Sequence, residues 1–527
     1  MAAIITDVLR VNNARNFIDK VRDPNKSYYT FIGLPNATEV ASTWNTSPPS
    51  PRDCTDDGNG YWDNMIALKK IGADDVRPVV RKVEWASATI YDMYRHDVNR
   101  NNLSRPSNKT SLYASNYYIV NSEFRVYICL NNGIDPENPS GRPSLDEPKF
   151  TDLEPRAAGT SGDGYIWKYL FTISPSDVIK FDSLNFIPLP VDWETNADYK
   201  SVRNNANTSG QLKTITITNR GYLVGPPNTT YSRVPIRGDG TGAECTIVVN
   251  NDSRVESITV SNGGSGYTFG SVDLIGGSVP TGSTTPLFDV IIPPQGGHGA
   301  DIYKELGSTN VLIYSRIENN DQNPDFVTGT NVARIGIVED PLGYASNTLI
   351  SDDRVSSLYA IVLKGQAPNQ DDFKTTTFES NSYIRQTIGA GTTAVGRVVT
   401  YDAETGVLRY WQDRTLVGFN TDGTQKSNPE YGLNLNLFTA SPSGGGELKI
   451  IGGSKDLYID EGFGTDTNPG ISTVINNKTY YLGQTFIKGL ANPEVQKYSG
   501  NIIYVDNRPS ILRSVNQRED IKVILQF

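Results

Sequence analysis

From Tyr28 almost to its end, the chain is cut into short apolar runs bounded by Gly, Pro, Asn or Asp. Tyr117 to Val120, Phe124 to Leu130, Val311 to Ile317 and Leu358 to Leu363 are of strand length and too short for typical helices. The 48 glycines and 30 prolines supply the turns between them, so the expected fold is mainly β. Arg397 to Tyr401 and Val407 to Trp411, joined through Ala403 to Gly406, read as a hairpin. Helices are expected in two places. Residues 4 to 22 space Ile5, Val8, Leu9, Phe17, Ile18 and Val21 near helical period and stop at Asp23-Pro24. Trp62 to Ile71 carries Met65, Ile66 and Leu68, with Lys69 and Lys70 where cations suit a helix end.

Residues 211 to 292 contain a degenerate repeat. Thr214 to Tyr222 matches Ser257 to Tyr267, and each copy opens with an alternating Ile/Thr strand before an Asn-initiated, Gly-containing bend. Two copies make a small duplicated Gly-rich β module, too few for a solenoid.

At 527 residues, about three or four domains are expected. The net charge of -10, with no basic block, argues against nucleic-acid binding through phosphate neutralisation. No apolar run reaches the ~18 residues of a membrane span, and Asp7 and Arg10 interrupt the N-terminus too early for a signal peptide, so a soluble chain without membrane insertion is expected. Cys54, Cys129 and Cys245 are widely spaced and odd in number, which suggests buried thiols rather than disulfides or a metal knuckle.

Motifs for catalysis are missing. His96 and His298 are the two histidines, and neither sits in a Gly-x-Ser-x-Gly, His-Glu-x-x-His or Walker A context. His298, in a Gly-rich loop, reads as a turn residue. Asn319 to Asn323 alternates oxygen side chains but lacks the Gly and later Glu of a calcium loop. No catalytic, cofactor-binding or metal-binding residue is assigned. After the Gly162-Asp163-Gly164 turn, Tyr165, Trp167, Tyr169 and Phe171 are expected on one strand face, with Ile166, Lys168 and Leu170 on the other. Such a face suits a sandwich core or a subunit contact better than a stacking platform. Near the C-terminus, Asp506, Asn507, Arg508 and Pro509 read as a turn between the runs 502 to 505 and 521 to 525, and the terminal Phe527 as a tied-down end.

The stretch Tyr498 to Phe527 strongly resembles the C-terminus of the gene-eight baseplate wedge subunit of T-even-type contractile-tailed phages, and Gly162 to Phe171 is a second match in the family's order. Weaker islands are Tyr28 to Gly33 with Trp44, Asp63 to Met65, Val83 to Trp85 with Tyr91 and Tyr94, and Asn331 to Leu342. The resemblance implies multidomain β-sandwiches, partly immunoglobulin-like, with a few short helices. Residues 1–95, 308–350 and 489–527 would form a discontinuous scaffold sandwich and 96–200 a second one. Residues 205–295, the Gly-rich module, and 351–488 would be insertions. It further implies a non-enzymatic structural subunit of the virion tail baseplate, assembled in the host cytoplasm, that forms a homodimer and bridges other wedge proteins. Tyr165, Trp167, Tyr169, Asn507, Arg508 and Pro509 are then the structural or interface candidates. The alternative is a tail protein whose insertions bind a host-surface glycan receptor.

Overall fold

The computed structural model describes residues 3–527 except 37–40, 207, 321, 323, 390–391, 413–435, 442–446 and 451–454. Strands take 39% of the chain and helices 13%, which makes the protein mainly β, with many antiparallel sheets and a few short helices. Two compact units divide the chain. One holds Met1–Ile18, Arg77–Ile313 and Val523–Phe527; the other holds Asp19–Val76 and Tyr314–Lys522.

In the first unit, strands Tyr118–Val120, Arg125–Asn132 and Tyr165–Thr172 pair antiparallel in that order. Val126 to Leu130 are all buried, as an apolar run covered on both faces should be. They share a core with Trp167, Trp193, Ile302 and, from the N-terminal helix, Val11. That helix, Asp7–Arg22, buries a stripe of Val11, Ala14, Ile18 and Val21, while Ile5, Val8 and Leu9 are exposed. Phe527 is held by its backbone N–H, which donates to Thr309 O at 3.0 Å, and by its ring, 5.6 Å from that of Phe17.

The duplicated module is a six-stranded arrangement in which the copies exchange partners. Copy one supplies Thr214–Asn219, Thr230–Gly238 and Thr241–Val249; copy two supplies Val255–Ser265, Gly270–Val272 and Leu287–Ile291. The first strand of each copy pairs with the third strand of the other, and the two middle strands pair with each other. Leu212 N–H to Gly263 O and Val255 N–H to Arg220 O, both 2.9 Å, tie the two first strands together. Leu212, Val234, Cys245, Ile247 and Val290 fill the interior.

The second unit contains a five-stranded antiparallel sheet ordered Arg354–Ser356, Met65–Lys70, Tyr28–Gly33, Asn331–Glu339, Asn501–Leu512. Early, middle and late segments of the chain therefore lie side by side. Both faces carry core: Tyr29, Phe31, Met65 and Leu68 on one, Ile32, Ile66 and Ala67 on the other. At Phe31↔Gly336 a Cβ on the glycine would stand 2.2 Å from the phenylalanine ring, so the strands approach only because that position has no side chain. Six further strands, Val407–Trp411, Thr392–Asp402, Tyr383–Gly389, Glu447–Ile450, Leu457–Ile459 and Tyr359–Lys364, pair in that order. The last pairs back onto the first and closes a barrel. Ile361, Leu363, Leu408, Tyr410, Leu457 and Ile459, at period two, belong to its core.

The expected hairpin forms, with Arg397 opposite Trp411 and Asp402 opposite Val407. Three other expectations are overturned. Trp62 to Ile71 is no helix. The helix is Thr55–Asp63, and Met65–Lys70 is a strand whose first four residues are wholly buried, so their apolar run reflects two covered faces and not a helical stripe. Asp506 to Pro509 is no turn but part of the continuous strand Asn501–Leu512. A register irregularity opposite Val332 and Arg334 absorbs the chain here, and Pro509 is tolerated because this is the sheet's edge. Cys54 is exposed, while Cys129 and Cys245 are buried. Asp321 and Asn323 of the oxygen-rich run lie outside the described residues.

Candidate functional site

The two sets of sequence candidates lie in different units. In the first, Tyr165–Thr172 pairs with Arg125–Asn132 in a register that slips at Leu130 of the neighbouring strand and at Leu170 of this one. Both faces of the strand are covered, so Lys168 and Leu170 are buried along with Tyr165 and Trp167, and the four aromatics do not form one open face. Tyr165 stacks on Trp167 with centroids 5.2 Å apart, and Tyr91 meets both rings edge-on. The Tyr165 hydroxyl donates to Arg142 O at 2.8 Å and accepts from Tyr91 N–H at 2.9 Å. Tyr169 is half-buried against Tyr127, its hydroxyl 2.9 Å from that of Thr172. Fully enclosed rings of this kind hold a core together and offer nothing to a base or sugar.

Asn507, Arg508 and Pro509 sit on the edge strand of the five-stranded sheet, and the residue that organises them is Arg334. This arginine is 1% exposed. Its guanidinium carbon lies 4.8 Å from the Tyr61 ring centroid and 5.6 Å from that of Trp44. Its Nε donates to Asn507 Oδ1 at 2.8 Å and a terminal nitrogen to Asn36 Oδ1 at 3.1 Å. Asn507 in turn donates to Pro49 O, and Trp44 Nε1 donates to the backbone carbonyl of Arg508, at 2.9 and 2.8 Å. Asn45 Oδ1 accepts from Ser510 N–H and Oγ. Residues 44 to 49 thus cap the outer edge of the strand with side-chain and backbone partners, which is how an Asp-Asn-Arg-Pro sequence stays extended. The Arg508 side chain itself points outward and, among the described residues, pairs locally, with Asp506 at 2.5 Å.

His298 is buried, and its Nδ1 is 2.7 Å from Glu305 Oε1; Glu305 Oε2 accepts from Gly299 N–H at 2.7 Å. His96 Nδ1 accepts from Ile292 N–H at 3.3 Å, and burial lowers its pKa. Both histidines have structural partners. Lys168, 1% exposed, donates to Leu153 O and Asn205 Oδ1 at 2.8 Å, and burial pushes its pKa down to about 8. In the second unit, burial raises Glu494 to about 7, helped by the nearby charges of Asp325 and Asp352 and opposed by the Ser356 N–H that donates to it at 2.7 Å. Arg334, Lys168 and Glu494 have no sequence signal, because their burial depends on partners far along the chain. Among the described residues, no three His, Cys, Asp or Glu side chains gather as a metal site would require, and no helix is long and apolar enough to cross a membrane. A scan against protein-family models and a search of curated proteins each gave no match.

Proposed function

We propose that this protein is a structural subunit of a contractile-tail baseplate wedge, one that dimerises and bridges other wedge proteins in the virion and is assembled in the host cytoplasm. The reading rests on the resemblance of Gly162 to Phe171 and Tyr498 to Phe527 to the gene-eight family. One structural observation supports it above others: Tyr28–Gly33, Asn331–Glu339 and Asn501–Leu512, three segments from islands of that resemblance, are adjacent strands of one sheet. A part that must hold its shape while its neighbours rearrange is served by such long-range ties and by broad surfaces, not by a reactive cleft. Light scattering on the purified chain, alone and mixed with the other baseplate proteins of the same genome, tests the proposal. A dimer that enters a defined larger complex is expected. A monomer that ignores those proteins overturns it.

A further inference from the structure

A cleft in the second unit has a volume of about 140 Å³ and is lined by Tyr344, Tyr359, Tyr498, Val495, Gln412 and Lys497, among others. Its size matches a cavity of about 150 Å³ that accepts a single benzene ring, and falls below the ~300 Å³ at which drug-sized pockets begin. One six-membered ring is therefore the scale of occupant. The lining is not that of a purely apolar cavity. Gln412 is 4% exposed and gives its amide nitrogen to two carbonyls, Val395 O at 2.8 Å and Asn436 O at 2.9 Å. Those two acceptors fix the orientation of the amide, and among the described residues no donor reaches its Oε1. Lys497 Nζ is held at Asp63 O, 3.3 Å away, and lies 5.8 Å from the Tyr359 ring centroid.

The walls are preformed. Tyr359 stacks on Tyr410 at 5.4 Å. Tyr344 N–H donates to Glu494 O at 2.8 Å, and Gly343 bridges Val495. Tyr498 adopts φ +65°, a left-handed conformation unfavourable for a tyrosine, and its hydroxyl is tied to the Asp63 carboxylate. Walls already held in place limit the ordering cost of binding.

We propose that this cleft binds one pyranose residue of a saccharide. The ring's C–H face lies against the tyrosines, and a hydroxyl donates to Gln412 Oε1. A plain aromatic ring would leave that oxygen dehydrated and without a donor, which disfavours it. The site adds a carbohydrate contact to the protein and does not depend on the wedge reading.

Saturation-transfer NMR on the full chain tests the proposal, with the methyl pyranosides of glucose, galactose, N-acetylglucosamine and glucuronic acid each at about 10 mM, suited to millimolar affinity. At least one pyranoside is expected to receive saturation from tyrosine ring protons. Tyr344→Ala, at a position 40% exposed, should weaken that binding about tenfold, a difference of about 1.4 kcal/mol, without changing the melting temperature. Tyr344→Phe should retain the binding. Absence of transfer from all four sugars overturns the proposal. Transfer undiminished in both Tyr344→Ala and Tyr498→Ala also overturns it, because the sugar then sits elsewhere.

Discussion

Replacing Glu494 by glutamine should stabilise the second unit, and only above mildly acidic pH. The folded carboxyl holds its proton up to about 7, against an ordinary value of 4.5. Between those values the folded state binds more protons than the unfolded one, so stability falls as pH rises through this window and the penalty is complete above it. Each pH unit of displacement is worth about 1.4 kcal/mol, or about 3 kcal/mol for the whole interval. Partial solvent access reduces this to about 1–3 kcal/mol. Glu494→Gln keeps the size of the side chain and an oxygen for the Ser356 N–H, and it removes the charge that faces Asp325 and Asp352. Scanning calorimetry from pH 4 to 8 reads the outcome. The variant and the natural protein should melt together near pH 4, and the variant should gain about 2–8 °C by pH 8. A constant offset across the range, or a variant that melts lower at pH 8, would refute the assignment of a buried, reluctantly ionised carboxylate.

Other substitutions separate neighbours that look alike in sequence. Asn507→Ala removes the acceptor of Arg334 Nε and should cost about 1–3 kcal/mol in thermal or urea melts, whereas Arg508→Ala, whose side chain is 59% exposed and pairs with the neighbouring Asp506, should cost less than about 0.5 kcal/mol. Gly336→Ala forces a methyl against Phe31 and should destabilise by about 1–3 kcal/mol or more, read in the same melts. A thiol reagent should modify Cys54 alone in the native protein and all three cysteines after denaturation, since burial raises the Cys129 thiol and pushes that of Cys245 up to about 12.

The β class could be read from Gly and Pro punctuation, because turn chemistry is local. Pairing could not. The Ile/Thr alternation of Thr214–Asn219 and Val255–Ser265 identifies two equivalent strands, but a period of two says which side chains share a face and not which strand lies alongside. Met65 to Leu68 misled for a related reason: a strand covered on both faces loses its alternation and resembles a piece of helix. At Asp506 to Pro509, turn-prone residues are overruled by contacts from Trp44, Asn45 and Pro49, more than 450 residues earlier. Of the candidates, Tyr165 and Trp167 were legible as core, while the role of Asn507 became clear only with Arg334, 173 residues away. The bulges at Leu130 and Leu170, and the cover over the second strand face that buries Lys168, leave no trace in composition.

Partner exchange within the duplicated module has a bearing on its failure modes. Within the first copy only Thr230–Gly238 and Thr241–Val249 pair with each other, and within the second no two strands do, so neither copy completes its sheets without the other. The Asn250 to Arg254 turn holds the two copies on a tether a few residues long, at an effective concentration set by its length. The same geometry opens a route to domain swapping: at high protein concentration, copy one of one molecule can accept copy two of another, giving entangled dimers that use only native contacts.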